Sequence, residues 1–214
     1  MDKIYTFSDL ENIQSFVTSL KRKSNKLGVK LELTNNTEIV ISEKIKCSGF
    51  FQSKFGKDPN LLTTATKLPI ERWLSVLVHE SCHMDQWEEK IKLWKDHDKL
   101  NDNVVDEWLE GKNHSVKKVE LAIKVTRDLE LDCEQRAVNK IKKFNLPINV
   151  KEYIQKANVY IFFHNWVLVK RKWYNPTNCP FTNPKIYKLL KHEWYDSYET
   201  IPPDLLKAFK KYKI

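Results

Sequence analysis

The order of the predicted elements indicates an α+β fold with a small mixed β-sheet. The 214-residue chain starts with a helical segment, continues with short strand-like segments and ends in long helical segments. Strands that are grouped together, rather than alternating with helices, favour α+β over α/β. The length suits one hydrophobic core. We therefore expect a single domain over residues 1–214, with an N-terminal helix and sheet (1–67), a central helical part (68–146) and a helical C-terminal part (147–214).

The N-terminal third is predicted to be one helix followed by strands. Residues 8–26 place apolar side chains on one face, with Ser8 and Glu11 as a capping box and Gly28 as the terminator. Alternating or β-branched residues then predict strands. These are two strands around a turn within residues 29–45, a strand or loop at 47–55 and a short strand at 61–66.

Helical periodicity dominates the remaining chain. Pro69 opens a helix that runs from Ile70 to at least Trp87. An apolar stripe predicts a long helix over residues 116–144, which Pro147 ends. The other predicted helices are one or two exposed helices in residues 90–111, one at 150–171 and a short one after each proline group of the tail.

Charge and composition limit the classes of function. The net charge is +9, but the lysines are spread along the chain, which favours a solvated surface over a nucleic-acid-binding one. Neither GxGxxG nor GxxxxGK[ST] occurs, which argues against a phosphate-binding loop. The first five residues lack a signal-peptide core, no run suits a membrane span, and the four cysteines form no CxxC pair. We therefore expect a cytoplasmic protein that does not enter a membrane.

The segment His79-Glu80-Ser81-Cys82-His83 is the most specific pattern in the chain. On a helix, residues i and i+4 share a face, so both histidines can direct an imidazole nitrogen at one metal ion. The glutamate then lies beside the ion, where it can accept a proton from a metal-bound water. The cysteine points away from that face and is predicted to be a small buried thiol. The apolar helical segment before the motif argues against a chance match, so we expect a Zn²⁺ site.

A short strand followed by a helix that bears VHESCH resembles the zincin metallopeptidases. Gln86 and Glu89 stand where metzincins have a glycine and a third histidine, so the resemblance is to other zincins. It implies a zincin-like fold in which residues 61–66 form the edge strand that binds a peptide or protein substrate. It also implies a zinc metallopeptidase with Glu80 as general base. The short chain, rich in Lys and Asn, further resembles phage-encoded metallopeptidase-like proteins.

The resemblance to gluzincins supplies a third metal ligand from a later helix. It implies Glu130 as that ligand and Glu134, four residues on, as the side chain that orients a motif histidine. Glu134 departs from the usual Asp, and it is also an alternative ligand. His97, 14 residues after His83, is a second alternative, as in SprT-like DNA-associated proteases. The glycine and aromatic residue that follow this histidine in those proteases are absent here.

Zincins also use a Tyr or a His to stabilise the oxyanion of the reaction. Tyr160 and His164, one turn apart on the predicted late helix, are the candidates here, and Tyr153 is another. The simpler interpretation of each is a residue of an aromatic core helix. A last alternative is a non-catalytic binding module stabilised by zinc, which a coordination sphere of four protein ligands without water would favour.

Overall fold

The computed structural model describes residues 4–41, 46–53, 59–100 and 104–214. Residues 42–45 of the predicted two-strand segment and residues 54–55 of the predicted strand or loop lie outside these ranges. Helices dominate, and short strands form a small mixed sheet, which confirms the α+β class. The chain divides into two compact units: the first is Met1–Lys90 with Gln135–Ile148, the second Ile91–Glu134 with Asn149–Ile214. The single domain over residues 1–214 stays a prediction.

The first helix, α1, spans Phe7–Leu27, and its N-cap lies two residues before the predicted cap at Ser8. The predicted capping box of Ser8 and Glu11 is wrong, because the cap is Thr6. The Thr6 hydroxyl accepts from the Asp9 amide at 3.1 Å, and the Asp9 carboxylate accepts from the Thr6 amide at 2.8 Å. Thr6 with Asp9 and Ser8 with Glu11 both have the three-residue spacing of a capping box, so the spacing alone does not distinguish them. Gly28 ends α1 in a left-handed conformation, as predicted.

The other helices confirm the helical predictions. Helix α2 begins directly after Pro69 and extends past Trp87. The helix at Val116–Lys143 is continuous over 28 residues and ends before Pro147. The helices are α2 (Ile70–Glu89), α3 (Lys92–Leu100), α4 (Val104–Leu109), α5 (Val116–Lys143), α6 (Val150–Lys170), α7 (Pro184–Tyr187) and α8 (Pro203–Lys211), with 3₁₀ turns at Pro176–Asn178 and Pro180–Thr182.

Five short strands account for the β-structure of the described residues. They are β1 (Val29–Thr34), β2 (Ile39–Val40), β3 (Lys46–Cys47), β4 (Gly49–Gln52) and β5 (Asn60–Ala65). The order of the main sheet is β1-β5-β4, with β1 parallel and β4 antiparallel to β5. Strands β2 and β3 form a separate antiparallel pair. The two strands predicted around a turn therefore exist, but β1 pairs with the distant β5 instead of with β2.

Strand β5 is the central strand of the main sheet, so the prediction that residues 61–66 form its edge is wrong. Both sides of β5 carry a hydrogen-bonded neighbour, and Leu62, Thr63, Thr64 and Ala65 are buried. Its apolar and β-branched sequence is typical of a strand covered on both faces. The two edge positions belong instead to β1 and β4. The sequence indicated β4, which is four residues long, only as a strand or loop.

Gly49 lets β4 approach α2 closely. A Cβ at this position would lie 2.6 Å from the Val76 Cγ1 atom and 2.8 Å from the Thr63 carbonyl oxygen. We therefore expect Gly49→Ala to lower the free energy of unfolding by about 1–3 kcal/mol, the usual effect of overpacking. Urea titration of both proteins measures the change. In a Val76→Ala background the loss should be smaller, and an unchanged urea midpoint for Gly49→Ala alone would contradict the close approach.

Within the first unit, α2 packs on the sheet and is tied by ion pairs to two other helical segments. The side chains of Leu74, Leu77 and Val78 on α2 are fully buried. Asp85 of α2 accepts from Lys23 of α1 at 2.9 Å and pairs with Lys140 of α5 at 2.8 Å. Asp85 thus contacts lysines from two helices at once.

The core of the second unit surrounds α6. Phe162, Phe163 and Trp166 are almost completely buried there, and the Trp166 indole donates to the Ile214 carbonyl at 2.9 Å. The buried Arg127 guanidinium bonds Glu199 at 2.8 Å, and this hydrogen bond lowers the pKa of Glu199 to about 2. In the described part of the chain, no helix combines the length and the apolar character that a membrane crossing needs.

Candidate metal site

Helix α2 places the two motif histidines side by side. The Nε2 atoms of His79 and His83 lie 3.1 Å apart, and both side chains are partly buried. Two nitrogens bound to one tetrahedral zinc ion at about 2.0–2.1 Å are about 3.3 Å apart. The pair therefore already has nearly the separation of two ligands of one ion. The helical spacing of four residues produces this arrangement, because it stacks the two rings on one face.

Gln86 holds the other ring nitrogen of His83. The Nδ1 atom of His83 lies 2.8 Å from the Gln86 side-chain oxygen, and Gln86 is fully buried. An amide oxygen only accepts hydrogen bonds, so Nδ1 is the donor. Because a neutral imidazole has one N–H, the Nε2 atom then carries the lone pair that a metal ion needs. From the sequence, Gln86 was identified only as a departure from the metzincin pattern.

Glu80 is held by an edge strand of the sheet. One of its carboxylate oxygens accepts a hydrogen bond from the Phe51 backbone amide of β4 at 2.9 Å. The Phe51 ring packs against Trp87 of α2, with the ring centroids 5.7 Å apart. This bond ties the Glu80 carboxylate to β4. Cys82, two residues further along α2, is fully buried, as predicted.

Glu130 and Cys133 extend the group of possible ligands. One ligand atom from each of His79, His83, Glu130 and Cys133 lies within 4.8 Å of the other three. The three ligands favoured from the sequence are therefore brought together. Cys133 was not among the ligands expected from the sequence. Its thiol and its position three residues after Glu130 were the signals that could have identified it, since i and i+3 share a helix face.

The alternative ligands Glu134 and His97 are not members of this group. Glu134 is buried, and its carboxylate accepts from the Tyr153 hydroxyl at 2.5 Å. His97 lies on α3. The role of Glu134 in orienting a motif histidine stays a prediction, and Tyr153 acts here as a hydrogen-bond donor to it.

His164 and Tyr160 lie in the aromatic core of the second unit. The His164 Nδ1 atom donates to the Tyr160 carbonyl at 3.0 Å, and its Nε2 atom has no hydrogen-bond partner among the described residues. Burial lowers the pKa of His164, which keeps the ring neutral near pH 7. In this form its Nε2 accepts and cannot donate to an oxyanion. The Tyr160 ring packs edge-on against Phe181. A role for Tyr160 or His164 in catalysis stays a prediction.

Comparison of the chain with protein-family models, with curated proteins and with solved structures gives no match. The functional assignment therefore depends on the geometry and the chemistry of this group of side chains.

Proposed function

We propose that the chain is a zinc-dependent hydrolase with a zincin-like site, and that it is a metallopeptidase within that class. The observation that carries the proposal is the His79–His83 pair, whose Nε2 atoms lie 3.1 Å apart with a Glu130 oxygen within 4.8 Å. Imidazole and carboxylate ligands together suit Zn²⁺ and leave a coordination position for water in catalytic sites. The ion itself would lower the pKa of that water and so supply a nucleophile near neutral pH.

Glu80 is the general base in this proposal. It follows His79 directly, and it is not one of the four grouped ligand residues, so its carboxylate remains available for proton transfer. The Phe51 amide holds one carboxylate oxygen at 2.9 Å, which limits the positions that the other oxygen can take. A fixed base within reach of a metal-bound water contributes about 10²–10⁴-fold to a rate.

The position of β4 supports a peptide as the substrate. Strand β4 is an edge strand of the main sheet, and its Phe51 amide contacts Glu80. An extended peptide that pairs with an exposed strand edge presents its carbonyl groups in register with that strand. A peptide added along β4 would thus pass the general base. This assignment replaces residues 61–66 with Gly49–Gln52 as the proposed substrate-binding edge.

A protease assay with controlled zinc content tests the proposal. We expect the zinc-loaded protein to cleave a denatured, unstructured protein such as casein, because extended segments fit a strand edge. Removal of zinc with a chelator should stop cleavage, and one equivalent of zinc per chain should restore it. Cleavage that survives chelation, or inactivity of the zinc-loaded chain towards diverse peptides, would contradict the proposed reaction.

A non-catalytic module stabilised by zinc is the second candidate, and Cys133 is the observation that favours it. A thiolate is a strong zinc ligand, and four protein ligands would close the coordination sphere. The buried Cys133 thiol lies within 4.8 Å of the other three ligand atoms.

Substitution of Cys133 separates the two candidates. If the chain is a hydrolase with an open position, Cys133→Ala should bind one zinc per chain with little change in affinity. If the site is closed, the same substitution should weaken zinc binding by more than about 100-fold, because even the loss of a ligand's hydrogen-bond partner weakens it about 10–100-fold. Competition with a chromophoric chelator measures the affinity. Cys82→Ala is the matched control, since Cys82 is equally buried and lies outside the group.

A further inference from the structure

We propose that Gln86 is a positioning residue that fixes His83 in the tautomer able to bind a metal ion. The inference rests on the proposed zinc site. The distance of 2.8 Å between the Gln86 side-chain oxygen and His83 Nδ1 is that of a full hydrogen bond. Both residues are on α2, three positions apart, so the helix itself sets the contact.

The direction of this hydrogen bond decides which nitrogen of His83 can bind the ion. With the proton on Nδ1, the lone pair is on Nε2, the atom that lies 3.1 Å from His79 Nε2. A histidine with its proton on Nε2 would first have to lose or move that proton. Gln86 therefore holds His83 in the metal-binding tautomer before the ion binds. Complete burial of Gln86 removes water as a competing partner for its own side-chain amide.

The neighbouring carboxylate does not take over this role. Asp85 directs its two oxygens at Lys23 and Lys140, at 2.9 and 2.8 Å. The acceptor for His83 is thus a neutral amide oxygen and not a carboxylate, which is one of the acceptors that metal-binding histidines commonly use. A neutral acceptor raises the basicity of the imidazole less than a carboxylate does. The ion would consequently keep more of its positive charge for polarising water.

Two substitutions separate positioning from packing. Gln86→Met has nearly the volume of Gln but no acceptor, so we expect it to weaken zinc binding by about 10–100-fold. Gln86→Glu keeps an acceptor, so its affinity should equal or exceed that of the wild type. Gln155→Met is the matched control, because Gln155 is also buried and its side-chain amide donates to the Leu190 carbonyl in the second unit. This control should leave zinc affinity unchanged.

The tautomer of His83 is the direct readout. Long-range ¹H–¹⁵N correlation spectra of the metal-free protein, labelled at histidine, distinguish a proton on Nδ1 from one on Nε2. We expect Nδ1–H for His83 in the wild type and in Gln86→Glu, and a shift towards Nε2–H in Gln86→Met. Nε2–H at His83 in the wild type would overturn the inference, and so would a zinc affinity of Gln86→Met within twofold of the wild type. Failure of the wild type to bind zinc would contradict the proposed function instead. The tautomer of His83 in the metal-free protein would then still show whether Gln86 fixes the proton on Nδ1.

Discussion

Substitution of His83 by alanine is expected to abolish the binding of zinc. The imidazole is one of three ligands in the proposed site, and its Nε2 atom lies 3.1 Å from that of His79. Loss of a hydrogen-bond partner of a ligand already weakens metal binding by about 10–100-fold, so loss of the ligand itself should exceed this range. Elemental analysis after dialysis should give about one zinc per chain for the wild type and almost none for His83→Ala, His79→Ala or Glu130→Ala.

The alternative ligands provide the controls for this experiment. Glu134→Gln and His97→Ala should retain zinc, because neither residue belongs to the group of ligand atoms around the two histidines. Full zinc occupancy in Glu130→Ala would show that the third ligand is assigned wrongly. Loss of zinc in His97→Ala together with its retention in Glu130→Ala would favour the SprT-like arrangement.

Substitution of Glu80 by glutamine is expected to leave zinc bound and to remove almost all hydrolysis. The amide of Gln can still accept from the Phe51 backbone amide, so the local structure should persist. It cannot accept a proton from water, however, and loss of a general base lowers rates by about 10²–10⁴-fold. Rates of casein or peptide cleavage, measured with the zinc content of each sample, test this expectation.

Glu89→Gln is a suitable control on the same helix. Glu89 pairs with Arg136 at 2.8 Å and is largely exposed, and pairs of this kind contribute little to stability. We expect this variant to keep both zinc and activity. Unchanged activity in Glu80→Gln would refute the role of Glu80, whereas loss of zinc in that variant would make Glu80 a ligand and not a base.

Features that depend on neighbours along the chain could be predicted well from the sequence. The extents of α2 and α5 follow from Pro69, Pro147 and a helical stripe of apolar residues. The contact between His79 and His83 follows from helical geometry alone. Gln86 was equally predictable, because a metal-binding histidine needs an acceptor for its second nitrogen and a residue three positions away can supply one.

Features that depend on distant parts of the chain were predicted less well. The sequence of β5 indicates a buried strand, but the positions of β1 and β4 on its two sides depend on pairing with residues far along the chain. The edge was therefore assigned to the wrong strand. Glu130 required a resemblance to known families, because it lies 47 residues after His83. Cys133 was overlooked, since nothing local distinguishes a ligand thiol from a buried one.

Diffraction from crystals of the zinc-loaded protein at the zinc absorption edge tests the central claim most directly. The proposed site predicts one strong anomalous peak per chain, bonded to Nε2 of His79, Nε2 of His83 and a carboxylate oxygen of Glu130. The bonds should measure about 2.0–2.2 Å. A zinc ion bound at other residues, or the lack of any peak in crystals grown with excess zinc, would contradict it.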